Sequence, residues 1–204
     1  MQYRRFIAQR QYLVVTIALI AIIMLVLQWR LGQPQSGITL DALAFYSDRN
    51  GQPLWQFISA HFVHLDWPHL WANLIAFVAA CVIFWPIFTT TRLLMLLLLG
   101  AVGASGAAGL LGEAHSFVGF SALTHAIVSF ATVAVLFSRP GGQMDIRPAV
   151  GWFMLLAIIA KSAAELLPAT TYLNWLQQQV AAEAHLGGLV SGALVGLWVF
   201  RPRQ

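Results

Sequence analysis

Six runs of largely apolar residues make up most of this 204-residue chain. They lie near Tyr12–Trp29, Leu70–Phe88, Leu93–Leu111, Phe117–Phe137, Ala149–Leu167 and Ala181–Phe200. Each approaches the roughly 20 residues that cross the hydrocarbon core of a bilayer. Only 9% of the residues are charged, against about 25% in an ordinary soluble domain, and 59% are hydrophobic. So few charges cannot cover a water-facing surface, and the pattern excludes a soluble globular fold. The expected architecture is an all-α polytopic membrane protein, a bundle of six transmembrane helices forming a single domain over residues 1–204. The first run is longer than the ~7–15 apolar residues of a signal peptide and no small-x-small cleavage site follows it, so it reads as a retained helix.

Arginine placement sets the expected topology. Of the eleven Lys and Arg residues, Arg4, Arg5, Arg10, Arg92, Arg139, Arg147, Arg201 and Arg203 share one side if the chain crosses six times. Arg30 and Arg49 fall on the other, and Lys161 lies inside the fifth run. This bias places both termini in the cytoplasm, with residues 1–11 as a cytoplasmic N-terminus and 30–67 as a long external loop. Aromatic and apolar residues in that loop (Phe45, Tyr46, Trp55, Phe57) suggest an element lying in the membrane interface. The net charge of +4 therefore records topology, and no nucleic-acid partner is expected. Cys81 is the lone cysteine, so neither a disulfide nor a cysteine metal site is available.

With this topology every histidine falls at an external helix end or in an external loop. His69, Ser121 and His185 each stand within about the first two turns of an inward-running helix. At 1.5 Å rise per residue they share a depth. Polar groups in hydrocarbon are expensive and mark functional sites by default. Ser121 could instead bond back to a carbonyl one turn earlier, as serines in membrane helices often do. As a nucleophile it would need an adjacent base, and His185 is the candidate. His185 is followed by Gly188, Gly192 and Gly196, all on its own helical face. Such spacing lets a neighbouring backbone approach closely, so the imidazole points at whatever that face packs against. Gly100, Gly103, Gly106 and Gly109 in the third run read as a packing surface.

His69 and Asn73, four apart, project from one face of the second helix, and both can donate to a developing oxyanion. They could equally be a polar pair bonded to a neighbouring helix. His125, one turn beyond Ser121, competes with His185 as base. Burial disfavours the cation that a base becomes, so His185 is preferred and His125 is taken as supporting the site or holding water. His64 and Gly119 are further candidates. Lys161 and Glu165 are expected to pair or to snorkel outward.

Three separated motifs then converge. The segment His61-Phe-Val-His64-Leu-Asp-Trp-Pro-His69-Leu-Trp-Ala-Asn73, the Gly119-Phe-Ser121 turn and Ala184-His185-Leu-Gly-Gly188 resemble, in order, the rhomboid intramembrane serine proteases. The resemblance implies a Ser121–His185 dyad without an acid, an oxyanion site of His69, Asn73 and the Ser121 backbone N–H, and no metal or cofactor. It further implies single-pass membrane protein substrates, cleaved at the outer face of what should be a bacterial inner membrane, with the site toward the periplasm. Through His125 and its small size the chain also resembles the rhombosortase subgroup, thought to process C-terminal Gly-Gly sorting tails. Two departures stand out: Ala122 follows the serine where the family usually has Gly, and Trp55-Gln56 replaces the usual Trp-Arg. The rivals are a rhomboid-like client-binding protein that does not cut, and a metal-handling protein using His61, His64, His69 and His115. The lack of a His-Glu-x-x-His motif and of paired membrane aspartates sets aside zinc and aspartyl proteases.

Overall fold

The computed structural model describes residues 2–47, 51–111, 116–137, 147–165 and 181–200. Each of the six apolar runs appears as a helix: α1 (Gln2–Leu31), α4 (Trp67–Ile83), α5 (Thr90–Leu111), α6 (Ser121–Phe137), α7 (Arg147–Glu165) and α8 (Ala182–Phe200). Between α1 and α4 lie two single-turn helices, α2 (Leu40–Leu43) and α3 (Gln56–Ser59), and the strand β1 (Phe45–Tyr46). The expected external loop is therefore a folded cap.

Helix boundaries depart from the apolar runs where backbone chemistry overrides hydropathy. The second helix starts at Trp67 because Asp66 caps it, accepting from the His69 N–H at 2.7 Å, with Pro68 in its first turn. It stops at Ile83, short of Phe88, because Pro86 cannot continue it and Trp85–Ile87 form a 3-10 turn. The helix of the fourth run begins four residues later than its hydropathy does. Phe117 pairs with Phe45 in a two-stranded ribbon, β1 against β2 (Ser116–Phe117), and Gly119 turns the chain at φ +118°.

Among the described residues, three helices are long and apolar enough to cross a membrane by themselves, Gln9–Leu31, Thr90–Leu111 and Ala182–Phe200. Gln56–Phe62 with Trp67–Ile83, bent by 95°, would be a fourth if the pair counts as one span. Val15, Leu19, Ile22 and Val26 of α1 and Trp71, Ile75 and Val82 of α4 are exposed apolar side chains. Outward-facing stripes of this kind suit lipid and not water.

α6 is the central pillar. Every residue from Ala122 to Thr132 is buried, and α4, α5, α7 and α8 all pack against it. Its 17 residues give a length of about 25 Å, less than a bilayer core of ~30 Å. A helix sheathed by others need not reach both surfaces, so the Ser121 end can be recessed. Leu70, Phe77, Phe84, Leu93, Leu96, Phe120, Leu123 and Phe130, all buried, fill the core around it.

α8 lies against α6 through its glycines. A Cβ on Gly188 would overlap the Ala122 carbonyl, one on Gly192 the Ala126 carbonyl, and one on Gly196 would stand 2.8 Å from Val133 Cβ. The Ser129 hydroxyl donates across the contact to the Leu189 carbonyl at 2.7 Å. The same helix also meets α5, with Gly187 against Gly103 and Ala107. The α5 glycines divide: Gly100 faces Leu123 and Ala126, Gly103 faces Ser191, whereas a Cβ on Gly106 would meet nothing within 4 Å. Gly106 thus falls outside the packing surface read from its spacing.

That division predicts opposite outcomes for one substitution. Gly106→Ala should leave stability unchanged or raise it by up to about 1 kcal/mol through helix propensity. Gly192→Ala must push two backbones apart and should cost about 2 kcal/mol or more. Thermal or denaturant unfolding in detergent compares them, and equal effects would refute the contact.

Candidate active site

The site is assembled at the start of α6. The glycine at 119 is required twice over: its φ of +118° is strained for any L side chain, and an added Cβ would stand 2.7 Å from His69 Nε2. The turn is held from above. The Gly119 N–H donates to the Ala60 carbonyl at 2.9 Å, the Phe120 N–H to His64 Nε2 at 3.4 Å, and the Phe120 ring packs on Phe62 and Phe77. Ser121 follows as the first residue of α6.

His185 arrives from α8, one turn before the Gly188–Ala122 contact. Ser121 Oγ and His185 Nε2 are 2.6 Å apart. The serine hydroxyl is therefore directed at an imidazole of another helix and not back along its own. Thr124 and Thr132 do bond back, to the Phe120 and Val128 carbonyls. His185 is buried and Ser121 half-buried, so the pair lies in a recess that is not sealed.

His125 does not contact the hydroxyl. Its Nδ1 lies 2.7 Å from the Ser121 carbonyl, and since a carbonyl only accepts, Nδ1 carries the proton. Its ring lies flat on His185, with centroids 4.3 Å apart and planes at 10°. Of the two expected competitors, His185 has the nitrogen placed to take a proton from Ser121.

His69 and Asn73 share one face of α4 and converge on Gly119. A Cβ there would be 3.7 Å from Asn73 Nδ2, beyond His69 Nε2 on the same side. Asn73 Nδ2 donates to the His69 carbonyl at 3.0 Å, a bond within its own helix. Both groups therefore border the Gly119–Ser121 turn, and neither bonds Ser121 directly.

His64 stands edge-on to His69 with centroids 5.0 Å apart. Burial, and secondarily the neighbouring His69, hold its pKa down from 6.5 to about 3. It stays neutral and keeps a lone pair for the Phe120 N–H. His61 serves the scaffold: its Nε2 reaches the Ala101 carbonyl and Ser105 Oγ, both at 3.3 Å, while Ser105 donates to the Phe57 carbonyl. Among the described residues no three His, Cys, Asp or Glu side chains are grouped to hold a metal. His115, Glu113 and the side chain of Glu165 lie outside the described residues; Lys161 is exposed on α7.

Gln56, which replaces the arginine usual in the family it resembles, is buried and donates to the Asp41 and Ala42 carbonyls at 3.1 and 3.2 Å. Trp55 Nε1 also donates to Ala42. A neutral amide thus ties α2 to α3 where the family's ion pair would stand. Ser129 and Ser105 escaped the sequence reading. Ser129 was signalled by its spacing, since 121, 125 and 129 repeat every four residues on one face; Ser105 carried no such signal.

A helical membrane protein with a serine–histidine contact sunk among its helices has the architecture that intramembrane hydrolysis demands. The chain belongs to the rhomboid family, whose members are generally intramembrane serine proteases: the family model described as Rhomboid domain matches residues 51–202. That match takes in α3 to α8 and leaves α1 outside. No individual curated protein matches the chain.

The His64 environment yields a pH prediction. Its folded-state pKa lies below its unfolded value, so as pH falls the unfolded chain takes up the proton first. The stability carried by neutral His64 is complete above about pH 6.5 and drains away as pH falls toward 3. His64→Gln cannot titrate, and its stability should fall less steeply over that window in thermal unfolding at stepped pH. An unchanged slope would show that His64 is solvated.

Proposed function

We propose that this protein is an intramembrane serine endopeptidase in which Ser121 is the nucleophile and His185 the general base. The observation that carries the reading is the 2.6 Å approach of Ser121 Oγ to His185 Nε2. In the first half-reaction His185 takes the hydroxyl proton as Oγ adds to a peptide carbonyl. The resulting oxyanion lies beside Gly119, where the Ser121 N–H, His69 and Asn73 can donate to it. His185 then passes its proton to the departing amine, leaving an acyl-enzyme ester. A water deprotonated by the same imidazole hydrolyses the ester and regenerates Ser121.

The reading extends to six spans with both termini cytoplasmic, which sets the Ser121 end of α6 at the external face of a bacterial inner membrane. Substrates are then single-pass membrane proteins cut near the periplasmic surface. Residues at the cleavage point should be small, because a helix must unwind to offer its backbone to a recessed serine. His125 and the compact chain favour the rhombosortase type, acting on C-terminal Gly-Gly tails. Ala122 is compatible with activity, since its carbonyl and not its methyl lies against Gly188.

Ser121→Ala should abolish cleavage of a tethered reporter bearing a Gly-Gly tail and a membrane helix, while reporter binding persists. A fluorophosphonate should label the parent protein at Ser121 and leave the variant unlabelled. Persistent cleavage by Ser121→Ala ends the protease reading. Asn73→Ala should lower kcat by about a hundredfold with little change in KM, the usual cost of one oxyanion donor. A change confined to KM would assign Asn73 to substrate binding.

A further inference from the structure

The end of the bundle remote from Ser121 holds a cavity that the mechanism does not use. It lies between the start of α1 and the head of α5, with Gln9, Tyr12 and Thr16 on one wall and Thr89, Thr90 and Thr91 on the other. Its volume is about 400 Å³, within the ~300–1,000 Å³ of small-molecule sites. Gly109, toward the opposite end of α5, faces Phe45 of the cap, and at 1.5 Å per residue Thr90 is about 28 Å from it along the helix. We propose that this cavity binds the phosphate diester of an anionic phospholipid, in the leaflet away from Ser121. The inference stands apart from the protease reading and draws on the proposed topology only to name the leaflet.

The chemistry of the walls suits an anion. Hydroxyl and amide donors stand on both sides, and neither α1 nor α5 contains an Asp or a Glu. Thr90 Oγ1 is buried and has no hydrogen-bond partner, a state that costs free energy until an acceptor arrives. Its neighbours are differently placed. The Thr16 hydroxyl donates to the Tyr12 carbonyl at 2.8 Å, whereas Thr89 Oγ1 accepts from the Arg92 N–H at 3.2 Å and so keeps its own proton to give. Thr90 and Thr91 also open α5, where backbone N–H groups have no acceptor within the helix.

Positive charge is fixed on the same rim. Arg10 follows Gln9 in the chain, and its Nη1 donates to the Trp85 carbonyl at 2.7 Å. Arg92 follows Thr91, and its Nη1 donates to the Ile87 carbonyl at 2.9 Å. Carbonyls position these two charges without cancelling them. In the proposed topology this is the cytoplasmic face, whose leaflet carries anionic lipid and where basic pockets between helices hold lipid headgroups. The acyl chains have a path as well. Tyr12 and Val15 line the cavity, and with Leu19 they continue along α1 as an exposed apolar stripe. That continuity favours a lipid over free phosphate.

The test titrates the full chain, in a neutral detergent, with dihexanoyl phosphatidylglycerol and follows thermal unfolding. The unfolding temperature should rise saturably, by about 5 °C at a hundredfold excess over half-saturation. Dihexanoyl phosphatidylcholine, which has the same diester and no net charge, should need at least about tenfold more, and inorganic phosphate should have no effect. Thr90→Val removes the hydroxyl with little change of shape. It should raise the half-saturating concentration by about ten- to a hundredfold, the usual cost of one hydrogen bond to a charged group, while Thr90→Ser should bind as the parent does. Thr91→Val, at an exposed position, should weaken binding likewise, and it decides the matter if Thr90→Val does not fold. Equal shifts from the two lipids, or from the parent and both valine variants, would reduce the effect to bulk solvation and overturn the site. A full shift from inorganic phosphate would overturn the lipid assignment. No shift with phosphatidylglycerol overturns the inference outright.

Discussion

Two backbones in direct contact, α8 at Gly188 and Gly192 against α6 at the Ala122 and Ala126 carbonyls, determine most of what lies around them. Lipid chains are as apolar as leucine, so helices in a bilayer gain little by hiding apolar side chains from it, and close packing with a few polar bonds must hold them. Each glycine gives up about 1 kcal/mol of helix propensity relative to alanine, recovered only if the neighbour comes close enough to use the space. Here it does, and the Ser129–Leu189 bond closes the contact lower down. His185 stands three residues before Gly188, so the register of this seam also sets the serine–histidine distance. A slip of one residue would rotate the imidazole by about 100° and move it 1.5 Å. Packing and chemistry therefore share one alignment.

The other side of Ser121 is held by the folded cap between α1 and α4. β1 pairs with β2, Ala60 accepts from Gly119, and His64 accepts from Phe120. Phe117, Gly119 and Phe120, all just ahead of the serine, are thus fastened before α6 begins. The cap is in turn anchored to α5 through His61 and Ser105, and folded on itself through Gln56. Its short elements would be marginal alone. They are tied to the long helices where buried groups find partners there, as His61 Nε2 does at the Ala101 carbonyl and Ser105 Oγ.

Much of the core arrangement was legible because it rests on periodicity. Gly188, Gly192 and Gly196 share a face by spacing alone, and the neighbour on that face could be inferred from the chemistry of His185. The glycines of α5 show the limit of that reasoning. Gly103 and Gly106 have similar spacing relations, yet one meets Ser191 and the other open space, since spacing reports a face and not its partner. Hydropathy located α4 and α6 and misjudged their ends. Asp66, Pro86 and Gly119 decide those ends through capping, a missing N–H and a left-handed turn, none of which hydropathy measures. The stack of His125 on His185 lay beyond the sequence because it depends on two ring torsions that follow from packing.

Ser121, His125 and Ser129 form a polar stripe along α6, and it faces the glycine stripe of α8. Lining a helix contact with hydroxyls and imidazoles would be costly if any were left against lipid. Each instead finds an acceptor or a neighbour inside the seam: His185 for Ser121, the Ser121 carbonyl for His125, the Leu189 carbonyl for Ser129. The groups of the proposed site therefore also hold the two helices together. This dual use lets so polar a site sit in so apolar a chain. It also means that Ser121 Oγ and His185 Nε2 lie beside a seam of direct backbone contact, where their spacing has little freedom to drift.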